Sequence, residues 1–472
     1  MLLLSTALAA SFVVTDPLDT PHPGATCLGD PCSLRDAIQL ANTTPGLDVI
    51  AFAVPVAELA TQAVITDPVH IVGGSSPFTM VVGLGSDRLF DVQDDTFLWS
   101  VRLSGGAASD GGCIAASAPL QIVDSQLRDC QATGDGGAIF STDAVELTRV
   151  GIVDNFAQRG GGVALRGGQL TAIGTHMAGN TTDHLPGTGQ GGAIHAEQSA
   201  VVTLSVSHIE ANRADEGGGL AIAQDSVASL DQVTMEANLA SSGAAIRVWS
   251  SDVIATNSTF SRNIGNGFTS HTDTAIRYSA SDPTAHFTGD HLTFYGTGYG
   301  IDPADLPPEV DPPPVEGPGG GGGDGDGGGV CGVLSIGFSS PPGAGAPDLR
   351  MQNSLGAYEC IGFGVVDPTG SPSDSVWTSS LDAAFPATPS AHAGVTKLDH
   401  YGGATKTHAL FGGATAEDAT PCDSLFLDQR GAARPSGAAC DAGAYERQHP
   451  PTGMPWLDAD PEPTPVIHPW WW

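Results

Sequence analysis

Gly111-Gly112-Cys113-Ile114, Gly136-Gly137-Ala138-Ile139, Gly161-Gly162-Val163-Ala164, Gly191-Gly192-Ala193-Ile194, Gly217-Gly218-Gly219-Leu220, Gly243-Ala244-Ala245-Ile246 and a faded Thr274-Ala275-Ile276 are one phrase repeated at steps of 25, 25, 30, 26, 26 and 30 residues. A second phrase keeps the same beat. Leu127, Ile152, Met177, Ile209, Met235 and Phe260 each stand three residues before Cys130, Asn155, Asn180, Asn212, Asn238 and Asn263. So short a period leaves no room for two packed helices and their turns, and helix formers are scarce in it; β-coils or leucine-rich repeats remain. The closely spaced leucines of the latter are missing. Between the landmarks apolar Val202, Leu204 and Val206 alternate with Val201, Thr203, Ser205 and Ser207, in short runs broken by Gly, Asn and Asp. The expected fold is all-β: a parallel β-helix in which each coil supplies two or three short strands stacked in register on the next.

Stacking at about 4.8 Å turns matched positions into ladders. The aliphatic series Leu127 to Phe260 becomes an inward column. The asparagine series becomes a turn ladder, since Asn tolerates the left-handed region and its amide can bond the same group above and below. The Gly-Gly pairs mark a corner where a Cβ would clash. Cys130 replaces the first asparagine, as expected of a terminal coil. Residues 50–105 read as earlier, irregular coils built on Ile65, Val69, Ile71, Val81, Leu89 and Phe90, and Thr181 to Gln190 as an insertion looping from one flank.

The 472 residues carry a net charge of -35 with only two lysines, Lys397 and Lys406. Nothing offsets repulsion from phosphates, so a nucleic-acid partner is excluded. Such acidity keeps a surface solvated, and no cofactor is expected; weak binding of divalent cations such as calcium is the alternative. Met1 to Ala9 resembles the back half of a secretory signal, shortened at its start (1–10). No later stretch approaches the ~20 apolar residues of a membrane span. The eight cysteines fall in near neighbours: Cys27 and Cys32, Cys113 and Cys130, Cys331 and Cys360, Cys422 and Cys440. That spacing reads as local disulfides in an oxidising compartment, the alternative being buried thiols in a reducing one.

Ahead of the coils, Ser33 is placed to cap a short helix, with Asp36 closing a capping box and Leu34, Ala37, Ile38 and Ala41 on one face. Such a helix suits a lid on the first coil. The run Cys32-Ser-Leu-Arg-Asp-Ala-Ile38, with Ala41-Asn42 and Asp48-Val-Ile-Ala-Phe52 after it, resembles the N-terminal CSLREAI-type motif of secreted bacterial right-handed parallel β-helix proteins, with Asp36 where that motif carries Glu. From Leu398 the chain resembles a choice-of-anchor Q C-terminal domain. The carrying residues are Leu398-Asp-His-Tyr-Gly-Gly403, Asp428-Gln-Arg-Gly431, Arg434-Pro435 and Cys440-Asp-Ala-Gly-Ala-Tyr-Glu446. The resemblance implies a right-handed β-helix of pectin-lyase-like shape, secreted or displayed on the bacterial cell surface or outer membrane, with no established activity. The domain plan is a cap over 11–48, the β-helix over 49–305, a Pro/Gly-rich spacer over 306–329, a C-terminal domain over 330–447 and a tail over 448–472. The lone Asp324 and Asp326 in the spacer lack the stacked copies of a calcium roll. Arg430 is expected to pair Asp441 or Glu446, and the 330–447 piece to cover the open end of the coils.

Enzymes of this shape set carboxylates and basic residues from adjacent coils on one outer face. Asp129 and Asp154 match across one step, a pairing fit for a general acid and base or for calcium. The series then runs Gly179, Ala211, Ala237 and Arg262, so no patch builds up. His176 and His208 also match and point outward, but a metal there lacks a third ligand in the pattern. Nucleophile elbows, zinc-spaced Cys/His sets and phosphate loops are absent. The expected function is non-enzymatic: a monomer for adhesion, surface display or carbohydrate contact, with a polysaccharide or another surface component as partner. The alternative is a polysaccharide lyase or glycoside hydrolase.

Overall fold

Alternating strands bury one row of side chains only if successive coils close on each other, and the structure, a computed structural model, shows this closure. It describes residues 10–74, 78–182, 189–265, 276–279, 286–295, 336–339, 348–352, 355–357, 395–410, 417–418, 425–441 and 443–448. The fold is a parallel β-solenoid of about 8 turns. The chain divides into two compact units, Met1–Ser229 with Ile246–Asp252, and Leu230–Ala245 with Val253–Ile467.

In the first unit each coil contributes to three sheets. One sheet runs through Val69–Val72, Thr96–Trp99, Leu120–Val123, Ala144–Thr148, Gln169–Ile173 and Val201–Ser205. The second takes Val101–Ser104, Gln126–Arg128, Gly151–Val153, His176–Ala178 and His208–Glu210. The third takes Phe90–Val92, Ile114–Ala116, Ile139–Ser141, Val163–Arg166, Ile194–Glu197, Leu220–Ala223 and Ile246–Trp249. Leu103, Leu127, Ile152, Met177 and Ile209 stand opposite one another in consecutive strands and are all 0% exposed. The expected column exists.

Three details differ from the sequence reading. Ile139 pairs with Val163 and Val163 with Ile194, so the third phrase starts at Gly160 and not Gly161. Gly160, like Gly136 and Gly191, has positive φ (63°, 69° and 68°), and a Cβ on Gly137 would lie 2.0 Å from the Gly161 carbonyl oxygen of the next coil. The asparagines are not left-handed; the residue before each one is. Asp129, Asp154, Gly179, Ala211, Ala237 and Arg262 carry φ between 52° and 65°, which frees the asparagine to turn inward. Finally, Cys130 is not in a terminal coil, because Val56–Leu59, Thr79–Gly83 and Val101–Ser104 precede its coil in the second sheet.

The inward asparagines bond along the stack. Asn155 Nδ2 donates to Asn180 Oδ1 at 2.9 Å and to the Leu127 carbonyl at 3.2 Å; Asn180 Nδ2 repeats this with Asn212 Oδ1 at 2.9 Å and the Ile152 carbonyl at 2.8 Å. Backbone N–H groups of Cys130, Asn155 and Asn180 reach the same Oδ1 atoms at 3.0 to 3.2 Å. Each buried amide is thus satisfied within the core. Cys130 forms a disulfide with Cys113, and Cys27 one with Cys32. Cys440 is disulfide-bonded too, while Cys331, Cys360 and Cys422 lie outside the described residues, as do Met1 to Ala9, the 306–329 spacer and 449–472.

The helix Leu34–Ala41 carries the expected capping box, Asp36 N–H to Ser33 Oγ and Ser33 N–H to Asp36 Oδ2. Its Arg35 grips Asp19 with two 2.8 Å bonds and reaches the carbonyls of Thr61 and Gln62. That arginine ties the loop, the helix and an early coil together.

In the second unit Met235, Phe260 and Phe294 form an inward column of their own, the two phenyl rings stacked at 5.0 Å. Asn238 Nδ2 donates to Asn263 Oδ1 at 2.9 Å. Ile336–Ser339, Asp348–Gln352 and Leu355–Ala357 pair in parallel with Ile276–Ser279, His286–Asp290 and Thr293–Tyr295, adding a strand to each sheet. Within the stretch expected to cover the open end, the described residues Gln429 and Ala444 lie against a flank. Gln429 accepts from Thr259 Oγ1 at 2.6 Å and donates to Thr234 Oγ1 at 3.0 Å, and the Ala444 N–H donates to Thr293 Oγ1 at 2.9 Å. These threonines alternate with the inward column and so face outward, yet they are at most 1% exposed. Arg430 pairs Asp428 at 2.6 Å, not Asp441 or Glu446; Glu446 is held by Arg434 at 3.1 Å.

Candidate functional site

Register brings an aromatic and polar row onto the outer face of the first sheet. His70 stands opposite Phe97, Phe97 opposite Gln121 and Gln121 opposite Glu146. The His70 and Phe97 rings are 4.8 Å apart, and Gln121 Nε2 donates to Glu146 Oε2 at 2.9 Å. These four residues, with Leu47 and Asp95 among their neighbours, line a depression of about 420 Å³. Trp99 lies two residues beyond Phe97, hence on the same face, and is 38% exposed. Its indole N–H is fixed by Asp124 at 3.2 Å, and Arg149 clasps the same carboxylate at 2.6 and 2.9 Å. The Arg149 bonds hold the Asp124 carboxyl below its ordinary range, and burial lowers the His70 imidazole, leaving it neutral near pH 7.

Asp129 and Asp154 are brought side by side, with Arg128 between them at 2.8 Å from the first and 3.6 Å from the second. Their side chains are 57% and 54% exposed. Their match in sequence follows from the left-handed corner, a conformation that favours Gly and Asp and is occupied in later coils by Gly179, Ala211, Ala237 and Arg262.

His176 and His208 are direct partners on paired strands, their rings stacked at 5.4 Å. Glu210 joins them: its Oε1 is 2.8 Å from His176 Nε2 and its Oε2 3.4 Å from His208 Nε2. The matching alignment hid this carboxylate, because its counterpart one coil earlier is Ala178. The usable signal was His208-x-Glu210, two residues that a strand places on one face.

A buried charge cluster lies at the third sheet. Arg159 binds Asp135 through two bonds of 2.7 and 2.9 Å, Arg166 contacts both Asp135 and Glu197, and His195 Nε2 sits 3.5 Å from Glu197. Asp135 and Glu197 are 1% and 6% exposed. The His195 imidazole first, then Arg159 and Arg166, hold the Glu197 carboxyl down to about 2 against the cost of burial.

No protein-family model, curated protein or solved structure matches the chain. Among the described residues no helix is long and apolar enough to cross a membrane.

Proposed function

We propose that this protein is a non-enzymatic, secreted or surface-displayed β-helix protein that contacts carbohydrate through the outer face of its first sheet. The observation that carries the reading is the outward-facing row of half-buried His70 and Phe97 with exposed Trp99 on the same face, beside the Gln121–Glu146 pair. A sugar ring has an apolar C–H face and a rim of hydroxyls. Aromatic faces suit the first, and an amide and a carboxylate suit the second. The local disulfides Cys27–Cys32 and Cys113–Cys130 and the resemblance to CSLREAI-type and choice-of-anchor Q proteins support an oxidising, extracellular setting.

The rival reading, a polysaccharide lyase or glycoside hydrolase of pectin-lyase-like fold, draws on the Asp135, Glu197, Arg159 and Arg166 cluster. A carboxyl held near 2 is a poor proton donor, and each carboxylate there is already neutralised by arginine. Screening the purified chain against immobilised polysaccharides, scoring retention and release of unsaturated ends, separates the two. The expected result is retention without release, weakened at least about tenfold in Phe97→Ala/Trp99→Ala, as when a site loses its two main aromatic contacts. Retention that this double variant leaves unchanged would sink the platform; release of unsaturated ends would establish the rival.

A further inference from the structure

We propose that His176, His208 and Glu210 form a binding site for a late first-row divalent cation of the zinc class. The donor set is two imidazole nitrogens and one carboxylate oxygen, a combination that favours zinc, copper or nickel over the all-oxygen surroundings of calcium and magnesium. All three ligand atoms lie within 4.8 Å of one another. Zinc bound at about 2.0–2.1 Å in a tetrahedron needs ligand atoms roughly 3.3 Å apart. Glu210 presents Oε1 to His176 at 2.8 Å and Oε2 to His208 at 3.4 Å, close to that edge, and rotamer changes that draw the three ligand atoms in from within 4.8 Å would close the site.

The backbone preorganises this arrangement. His176 and His208 are register partners in adjacent strands, so their spacing is set by the ladder, and Glu210 follows on the same face of the His208 strand. Below them Met177 and Ile209 are fully buried, which anchors both strands. The three side chains are only partly exposed, at 21%, 15% and 28%, leaving a side from which an ion can enter. Three protein ligands leave a fourth position for water or for an oxygen donor of a bound partner.

The test is a calorimetric titration of the full chain, stripped with a chelator, with zinc chloride and, in parallel, with calcium and magnesium chloride. Saturable zinc binding at this site is expected, weakened at least about tenfold by His208→Ala and by Glu210→Gln and unaffected by His70→Ala. Calcium and magnesium should not compete for it. Unchanged zinc affinity in His176→Ala/His208→Ala, or no saturable zinc binding, overturns the proposal. Cobalt substitution gives a readout that needs no variant: an intense visible spectrum of four-coordinate type supports the site, and a weak six-coordinate spectrum overturns it.

Discussion

In the coils from Leu103 to Glu210 the buried polar groups include neutral amides that repeat; between Leu398 and Arg447 they include charges that do not. Asn155 and Asn180 each donate to the asparagine of the following coil and to a carbonyl of the preceding one, at 2.8 to 3.2 Å. In the C-terminal segment Arg434, 4% exposed, bonds Glu446 and the carbonyls of Asp441 and Gly443. Arg430 spreads over the Tyr445 ring at 3.7 Å while holding Asp428. A repeating strand can satisfy its interior with one residue type used many times. An aperiodic segment has no such ladder, and a few strong, directional ion pairs fix its path instead.

The largest expected effect separates the two strategies. Arg434→Ala leaves the Glu446 carboxylate buried without its partner, a loss of about 3–5 kcal/mol. Hydrogen exchange should quicken across 428–446 while 127–212 stays protected, and adding Glu446→Gln should restore part of the loss. Equal quickening in both regions would break the comparison. Next comes Asn180→Ala, which strips partners from the Ile152 carbonyl and from Asn155 N and Nδ2, at about 2–4 kcal/mol. Urea unfolding followed by circular dichroism should show a lower midpoint, and an unchanged one would show that the ladder is dispensable.

The smallest effect is pH dependence, and its sign differs between the regions. Glu197, held down to about 2 by His195 and the arginines, adds stability that is full above its unfolded value near 4.5 and is lost as pH falls toward 2. Asp441 is pushed up to about 6, mainly by burial, with nearby Glu446 adding to the shift and the Arg447 and Asp418 amides only partly opposing it. Its contribution is full below about 3.8 and is lost as pH rises through 6, on the order of 2–3 kcal/mol. Carboxyl carbon shifts followed by NMR should give midpoints near 2 and near 6, and similar midpoints for the two groups would undo the distinction.

This contrast also explains what the sequence revealed. Where the chain repeats, matched positions are matched neighbours, so the inward column, the glycine corners and the His176–His208 pair were legible from spacing. The corner conformation was placed one residue late because Asn attracts that reading, whereas Ala211 and Arg262 in left-handed backbone advertise nothing. Glu210 and the Phe97–Trp99 face escaped because they arise from alternation within single strands, and the early coils keep no regular step. The Arg430 assignment failed where periodicity ended: three arginines, Arg430, Arg434 and Arg447, and six carboxylates between 417 and 446 allow many pairings, and only packing selects one.

The one-way asparagine ladder also bears on how such a chain can evolve. The amide oxygens of Asn155, Asn180 and Asn212 each accept hydrogen bonds from the coil before them, so these junctions are chemically alike. Unequal recombination that removes or duplicates a whole turn leaves all surviving junctions chemically unchanged, whereas loss of half a turn strands a donor in the interior. Such an array tolerates a change of length only in quanta of one winding.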